Sequence, residues 1–72
     1  MNYTERIKNT REKEEKKQIE IAKELNITQQ QYQLYESGKR KLPIDKLIKL
    51  CKYYNLSADY LLGLIDDPRP LR

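Results

Sequence analysis

Between Ile21 and Gly38 the sequence stops one helix and starts another within three residues, and that joint constrains the fold more than any other feature. Ile21, Ala22 and Leu25 form an apolar stripe at helical spacing, with Ile19 at its flank, which predicts a helix over roughly Gln18 to Leu25. Asn26 follows where a terminator belongs, because Asn tolerates the left-handed backbone past a helix end better than most residues. Thr28 then opens a second helix. Its hydroxyl can cap the new N-terminus, and Thr28-x-x-Gln31 is a capping-box pattern in which Gln31 reaches back to the Thr28 amide. Gly38 closes that helix, since Gly takes positive φ at no steric cost.

The remainder reads as helix too. Glu, Lys, Gln and Leu dominate, Val, Phe and Trp are absent, and only two Gly and three Pro interrupt the 72 residues, so the expected class is all-α. Ile44, Leu47, Ile48, Cys51 and Tyr54 recur at i, i+3, i+4, i+7 and i+10, predicting an amphipathic helix that starts near Pro43. Lys46, Lys49 and Lys52 fall on its solvent side, and Cys51 reads as a small buried hydrophobe. Ser57 is placed to cap a last helix, Ala58 to Leu62, with Asp59 suiting its positive end. At the start, Tyr3, Ile7 and Thr10 offer a thin inward face for a first helix whose end is not marked, because Arg11 to Lys17 is a charged run. The expected organisation is one domain over residues 1–65 and a short mobile tail over 66–72, a length that allows one modest core.

Several chemistries are excluded. There is no His, one Cys and two Ser (Ser37 and Ser57), so no Ser-His or Cys-His nucleophile pair and no His/Cys zinc site can be assembled. Neither an enzyme nor a cofactor or metal is expected. A lone thiol, no apolar leader and no apolar run near the roughly 20 residues of a bilayer span point to a cytoplasmic protein without a membrane partner. The net charge of +4 favours an anionic partner, and its distribution matters more than its size. Residues 5–24 hold seven bases against six acids, whereas residues 38–52 hold six bases against one acid.

Two helices joined by a short turn inside a small basic all-α domain form a helix-turn-helix candidate, whose second helix enters the DNA major groove. That second helix begins Gln29-Gln30-Gln31 and continues Tyr32-Gln33. A Gln amide carries a donor and an acceptor and can bond in bidentate fashion to N6 and N7 of adenine. Gln31 serves the capping box as well as it would serve a base. Tyr32 can stack on a sugar or a thymine methyl or else be buried, and Tyr35 reads as core.

The sequence resembles the lambda-repressor-like helix-turn-helix domains of the Cro/C1 type, also called the XRE family. The resemblance rests on Gln18 with Ile21-Ala22-Lys23-Glu24-Leu25, Ile27-Thr28, Tyr35-Glu36-Ser37-Gly38-Lys39, and Asn55-Leu56-Ser57-Ala58-Asp59-Tyr60-Leu61-Leu62-Gly63, over about residues 5 to 64. It implies a compact five-helix bundle with the helix-turn-helix in helices 2 and 3. It also implies a sequence-specific transcriptional regulator that represses by binding a palindromic operator on double-stranded DNA as a homodimer. Carried over by position, Gln29, Gln30 and Gln33 would meet base edges, and Gln18, Thr28, Gly38, Lys39 and Arg40 would meet phosphates. Arg11 and Glu36 would form an ion pair linking helix 1 to the recognition helix. The homodimer surface is expected near the last helix, from Ala58, Leu61, Leu64 and Ile65. Glu15-Lys16-Lys17 departs from the Gly-Leu-Thr type of turn that the family often has before Gln18, and Ile44 stands near where some members place a minor-groove Arg. The rival reading is a protein-interaction module of the same fold, such as an antitoxin or a partner-binding adaptor.

Overall fold

A computed structural model describes residues 2–72, and among these residues there are five helices and no strand, the all-α architecture expected. They are α1 (Tyr3–Lys13), α2 (Gln18–Glu24), α3 (Gln29–Glu36), α4 (Ile44–Tyr54) and α5 (Ala58–Leu61). α2 packs on α3, α1 lies against both α3 and α5, and α4 supports α5. Ile7, Ile21, Ala22, Leu25, Tyr32, Leu50, Cys51 and Leu61 make the buried core.

Four helices end in the same way. At Glu15 (φ 57°), Asn26 (φ 58°), Asn55 (φ 54°) and Gly63 (φ 81°) the chain enters the left-handed region, and the last carbonyls are then satisfied by amides that double back. Lys16 N–H donates to Arg11 O, Ile27 N–H to Ala22 O, Leu56 N–H to Cys51 O and Leu64 N–H to Asp59 O, at 3.0, 3.0, 3.0 and 2.9 Å. Glu15 does this with a side chain where Gly would be relaxed, so the unusual turn keeps the geometry at the cost of some strain. The helix starts are equally explicit. Asn2 Oδ1 accepts from Thr4 N–H at 2.8 Å, Thr28 Oγ1 from Gln31 N–H at 3.1 Å, and Ser57 Oγ from Tyr60 N–H at 3.3 Å. Lys17 offers no such cap, and Glu20 compensates by accepting the Lys17 N–H at 3.0 Å.

Two inward faces differ from expectation. α4 is rotated from the predicted stripe: Ile44 and Ile48 are 73% and 49% exposed, while Leu50 is fully buried beside Cys51. Leu47, Leu50, Cys51 and Tyr54 satisfy the same spacing, and packing against α5 selects them. Lys46, read as solvent-facing, is half-buried and donates Nζ to Leu25 O at 3.0 Å, closing the C-terminal end of α2.

In α1 the buried residues are Arg6, Ile7 and Thr10, whereas Tyr3 is only half-buried and its hydroxyl accepts the Leu42 N–H at 3.3 Å. Arg6 is 4% exposed. Its guanidinium lies 4.1 Å from the Tyr60 ring centre and donates to Tyr60 O and Ile65 O at 2.7 and 2.9 Å, where the carbonyls of α5 run out. The segment after Ile65, expected as a short tail, makes backbone hydrogen bonds to the rest of the chain. Ser57 N–H donates to Arg69 O at 2.7 Å and Leu71 N–H to Asn55 O at 3.3 Å, laying the tail along the α4–α5 turn.

Candidate nucleic-acid interface

α3 divides cleanly into two sides. Tyr32, Tyr35 and Glu36 point into the protein, and Gln29, Gln30 and Gln33 are exposed on the opposite side. Tyr32 is completely covered, so it belongs to the core and is not available to stack on a sugar or base. Burial, reinforced by the neighbouring Glu36 carboxylate, pushes its hydroxyl pKa far up and keeps it protonated. Gln31 is committed to the capping box: its Oε1 accepts the Thr28 N–H at 3.1 Å while its own amide donates to Thr28 Oγ1. Thr28 Oγ1 acts there as an acceptor, which leaves its own hydrogen uncommitted at the exposed start of the helix.

The far end of α3 is held by a network. Arg11 Nε and Nη2 donate to Glu36 Oε2 and Oε1, each at 2.9 Å, and Arg11 Nη1 donates to Lys16 O at 2.9 Å. Gln18 Nε2 adds a bond to Glu36 Oε1 at 3.3 Å. α1, the α1–α2 turn, the start of α2 and the end of α3 are thus tied through one carboxylate. Burial alone would raise the Glu36 pKa, but the hydrogen bonds from Arg11 and Gln18 outweigh it and hold the group below its ordinary range. The same contact raises the Arg11 pKa further.

Gly38 follows with φ 82°, and a Cβ there would sit 3.6 Å from Thr4 Cγ2, so backbone conformation rather than crowding is what asks for glycine. Lys39 and Arg40 are exposed on the connection to α4, and the Arg40 N–H donates to Leu34 O at 3.1 Å, holding that connection against α3. Between α1, α2 and α3 lies an open recess lined by Lys8, Gln18, Gln33, Glu36 and Ser37. Lys8 is the residue of this surface that the sequence did not single out. It lies three residues before Arg11, and that spacing puts both on the side of α1 facing α3.

The dimer candidates near α5 need one correction. Leu61 is fully buried in the core and cannot form a surface. Ala58 and Ile65 are half-buried, Leu64 is 71% exposed, and Leu62, absent from the expected set, is exposed. Among the described residues, no helix is long and apolar enough to cross a membrane.

The comparisons agree with this geometry. A family model described as helix-turn-helix matches residues 7–61. The chain is 37% identical over 68 residues to the uncharacterized HTH-type transcriptional regulator YobD of Bacillus subtilis (strain 168), covering 94% of the chain and 61% of that protein. It is 41% identical over 63 residues to the HTH-type transcriptional regulator ImmR of the same organism, covering 88% and 50%. The chain therefore spans between half and two thirds of the length of these curated relatives. A crystal structure of a transcriptional regulator from Listeria innocua superposes with a TM-score of 0.83 at 32% identity, covering 92% of this chain and 62% of that one. A helix pair joined at Asn26-Ile27-Thr28, an outward row of glutamines and a matched family model lead to one conclusion: the chain belongs to the helix-turn-helix family of the Cro/C1 type.

Proposed function

We propose that the chain is a DNA-binding transcriptional regulator that presents α3 to the major groove, with Gln29, Gln30 and Gln33 toward base edges. The observation that carries this reading is the division of α3: its inner side is fixed by Tyr32 and the Arg11–Glu36 pair, and its outer side is an exposed row of amides. Gln18, Thr28, Gly38, Lys39 and Arg40 flank that row and act on phosphates, the last two through charge and Gly38 through its backbone. One such domain makes few base contacts. A homodimer on a palindromic operator, with half-sites about 34 Å apart, supplies the affinity of a repressor that works by occupying its site in the cytoplasm. The exposed Leu62 and Leu64, with the half-buried Ala58 and Ile65, are the surface for that pairing.

Selection of bound duplexes from a random pool tests the proposal directly. The expected product is a palindrome whose half-sites are one helical turn apart. Gln29→Ala and Gln30→Ala should each cost about 1–3 kcal/mol of binding at a single base pair and relax selection there, while Lys39→Gln should weaken all sequences alike. No enrichment at moderate salt, or equal losses on every sequence for the Gln variants, would remove base reading by α3.

A further inference from the structure

Where the chain folds back on itself, the end of α1, the α4–α5 turn, α5 and the tail surround a partly open hollow of about 160 Å³. Leu56, Tyr60 and Pro68 give it mostly apolar walls. Thr10 adds carbon to them, because its hydroxyl is covered by protein and has no hydrogen-bond partner among the described residues. The walls are held from outside. Arg6 lies over the Tyr60 ring at 4.1 Å, and the bond from Ser57 N–H to Arg69 O, at 2.7 Å, fixes the residue next to Pro68. An apolar hollow of about 150 Å³ accepts a body the size of benzene.

The rim carries two charges of opposite sign. Lys13 and Glu14, consecutive at the end of α1, both border the hollow and both are exposed. Neither side chain is in a hydrogen bond or ion pair among the described residues, not even with the other. A free ammonium and a free carboxylate at the mouth of an apolar hollow complement a small molecule that carries the same two charges at one end of an apolar body.

We infer that this hollow binds a free apolar α-amino acid of about leucine's size, with its carboxylate on Lys13, its ammonium on Glu14 and its side chain between Leu56, Tyr60 and Pro68. Both charges of an α-amino acid stem from one carbon, so consecutive rim residues reach them while the side chain points inward. Burial of that side chain supplies most of the affinity, and the two exposed pairs orient it. A polar side chain would give up water without finding a partner among these walls. A fatty acid would leave Glu14 unmatched. None of the lining residues is among those assigned to DNA, so the site stands independently of that reading and its occupant does not compete with the duplex.

The test titrates the ¹⁵N-labelled chain, without DNA, with L-leucine up to about 20 mM and follows the amide signals. A saturable response with a dissociation constant on the order of 1 mM is expected, confined to residues 10–14, 55–60 and 66–69. Glycine, which lacks the side chain, should give no saturable response. N-acetyl-L-leucine lacks the ammonium and L-leucinamide the carboxylate, and each should bind about two- to five-fold more weakly. Glu14→Gln should weaken L-leucine by the same factor and leave N-acetyl-L-leucine unchanged, while Lys13→Gln should weaken L-leucine and leave L-leucinamide unchanged. Both residues are exposed, so both variants should keep the wild-type spectrum away from the site. The assignment is overturned by no saturable response to L-leucine, by shifts scattered beyond those residues, by glycine binding as well as L-leucine, or by variants that do not separate the capped forms in this way. N-acetyl-L-leucinamide binding as tightly as L-leucine would also overturn it, since the hollow would then be a seat for a side chain within a polypeptide.

Discussion

Arg6 and Arg11 sit on one helix, five residues apart, and both are largely removed from water, yet they anchor α1 in opposite ways. Arg11 binds a carboxylate, Glu36, whose side chain is 4% exposed, and so fixes α1 to α3 through charge. Arg6 binds backbone carbonyls and the face of Tyr60, and so fixes α1 to the end of α5 with almost no help from an acid. Its ion pair to Asp66, at 3.5 Å, reaches a carboxylate that is 94% exposed. The contrast separates two kinds of anchor. One depends on the protonation state of a partner and the other does not.

Breaking each anchor should expose that difference. The largest effect is expected for Glu36→Ala, which leaves the Arg11 guanidinium buried without a counter-charge and should cost about 3–5 kcal/mol, enough to unfold a domain this small. An unchanged melting temperature would remove the pair from any structural role. Arg6→Met should follow, at roughly 2–3 kcal/mol: the stem is replaced in kind, but the carbonyls of Tyr60 and Ile65 lose their buried donor.

Acid sharpens the comparison further. The Glu36 pKa is lower folded than unfolded, so its stabilisation is complete above the unfolded value and is lost as pH falls through the folded one. Urea melts between about pH 6 and pH 3 should therefore show a falling stability that Arg6→Met retains and Glu36→Gln flattens. A wild-type profile for Glu36→Gln would mean that other carboxylates carry the acid response.

Two smaller effects tune the anchors without breaking them. Glu15→Gly relieves the left-handed residue just before Lys16, whose carbonyl Arg11 holds, and should add about 1 kcal/mol to stability by chemical denaturation. A loss instead would mean that the Glu15 side chain contributes more than its backbone costs. Asp66→Asn should change stability by less than about 0.5 kcal/mol, because an exposed partner at that distance is well screened. A drop comparable with Arg6→Met would show that the acid, not the carbonyls, holds Arg6.

The same contrast explains what could be read in advance. The Asn26-Ile27-Thr28 joint, the Thr28–Gln31 capping box, Gly38 and the Ser57 cap all rest on local chemistry, in which a side chain answers its own neighbours along the chain, and each lies where the pattern placed it. Arg6 left no such mark. Its partners are carbonyls from the other end of the chain, which every residue carries, so a basic residue on α1 reads as solvated until the fold brings Tyr60 and Ile65 to it. The face of α4 failed for a related reason. Two stripes share Leu47, Cys51 and Tyr54 at helical spacing, and only the neighbouring helix decides between Leu50 and the pair Ile44 and Ile48. Lys8 was legible only as one more charge in a balanced run, because its interest comes from a hollow made by three helices.

The division of α3 has a consequence for how such a chain can change over generations. Gln29, Gln30 and Gln33 are exposed and support no part of the core, whereas Gln31, Tyr32 and Glu36, interleaved with them, secure the start, middle and end of the same helix. On the proposed reading of α3, substitutions at the first set would redirect the protein to new sites while the domain stays folded, and substitutions at the second set would be removed by instability before they are tried on DNA. On that reading eight residues hold a replaceable address on a fixed mount, and new binding preferences would be sampled one residue at a time without a stabilising change elsewhere.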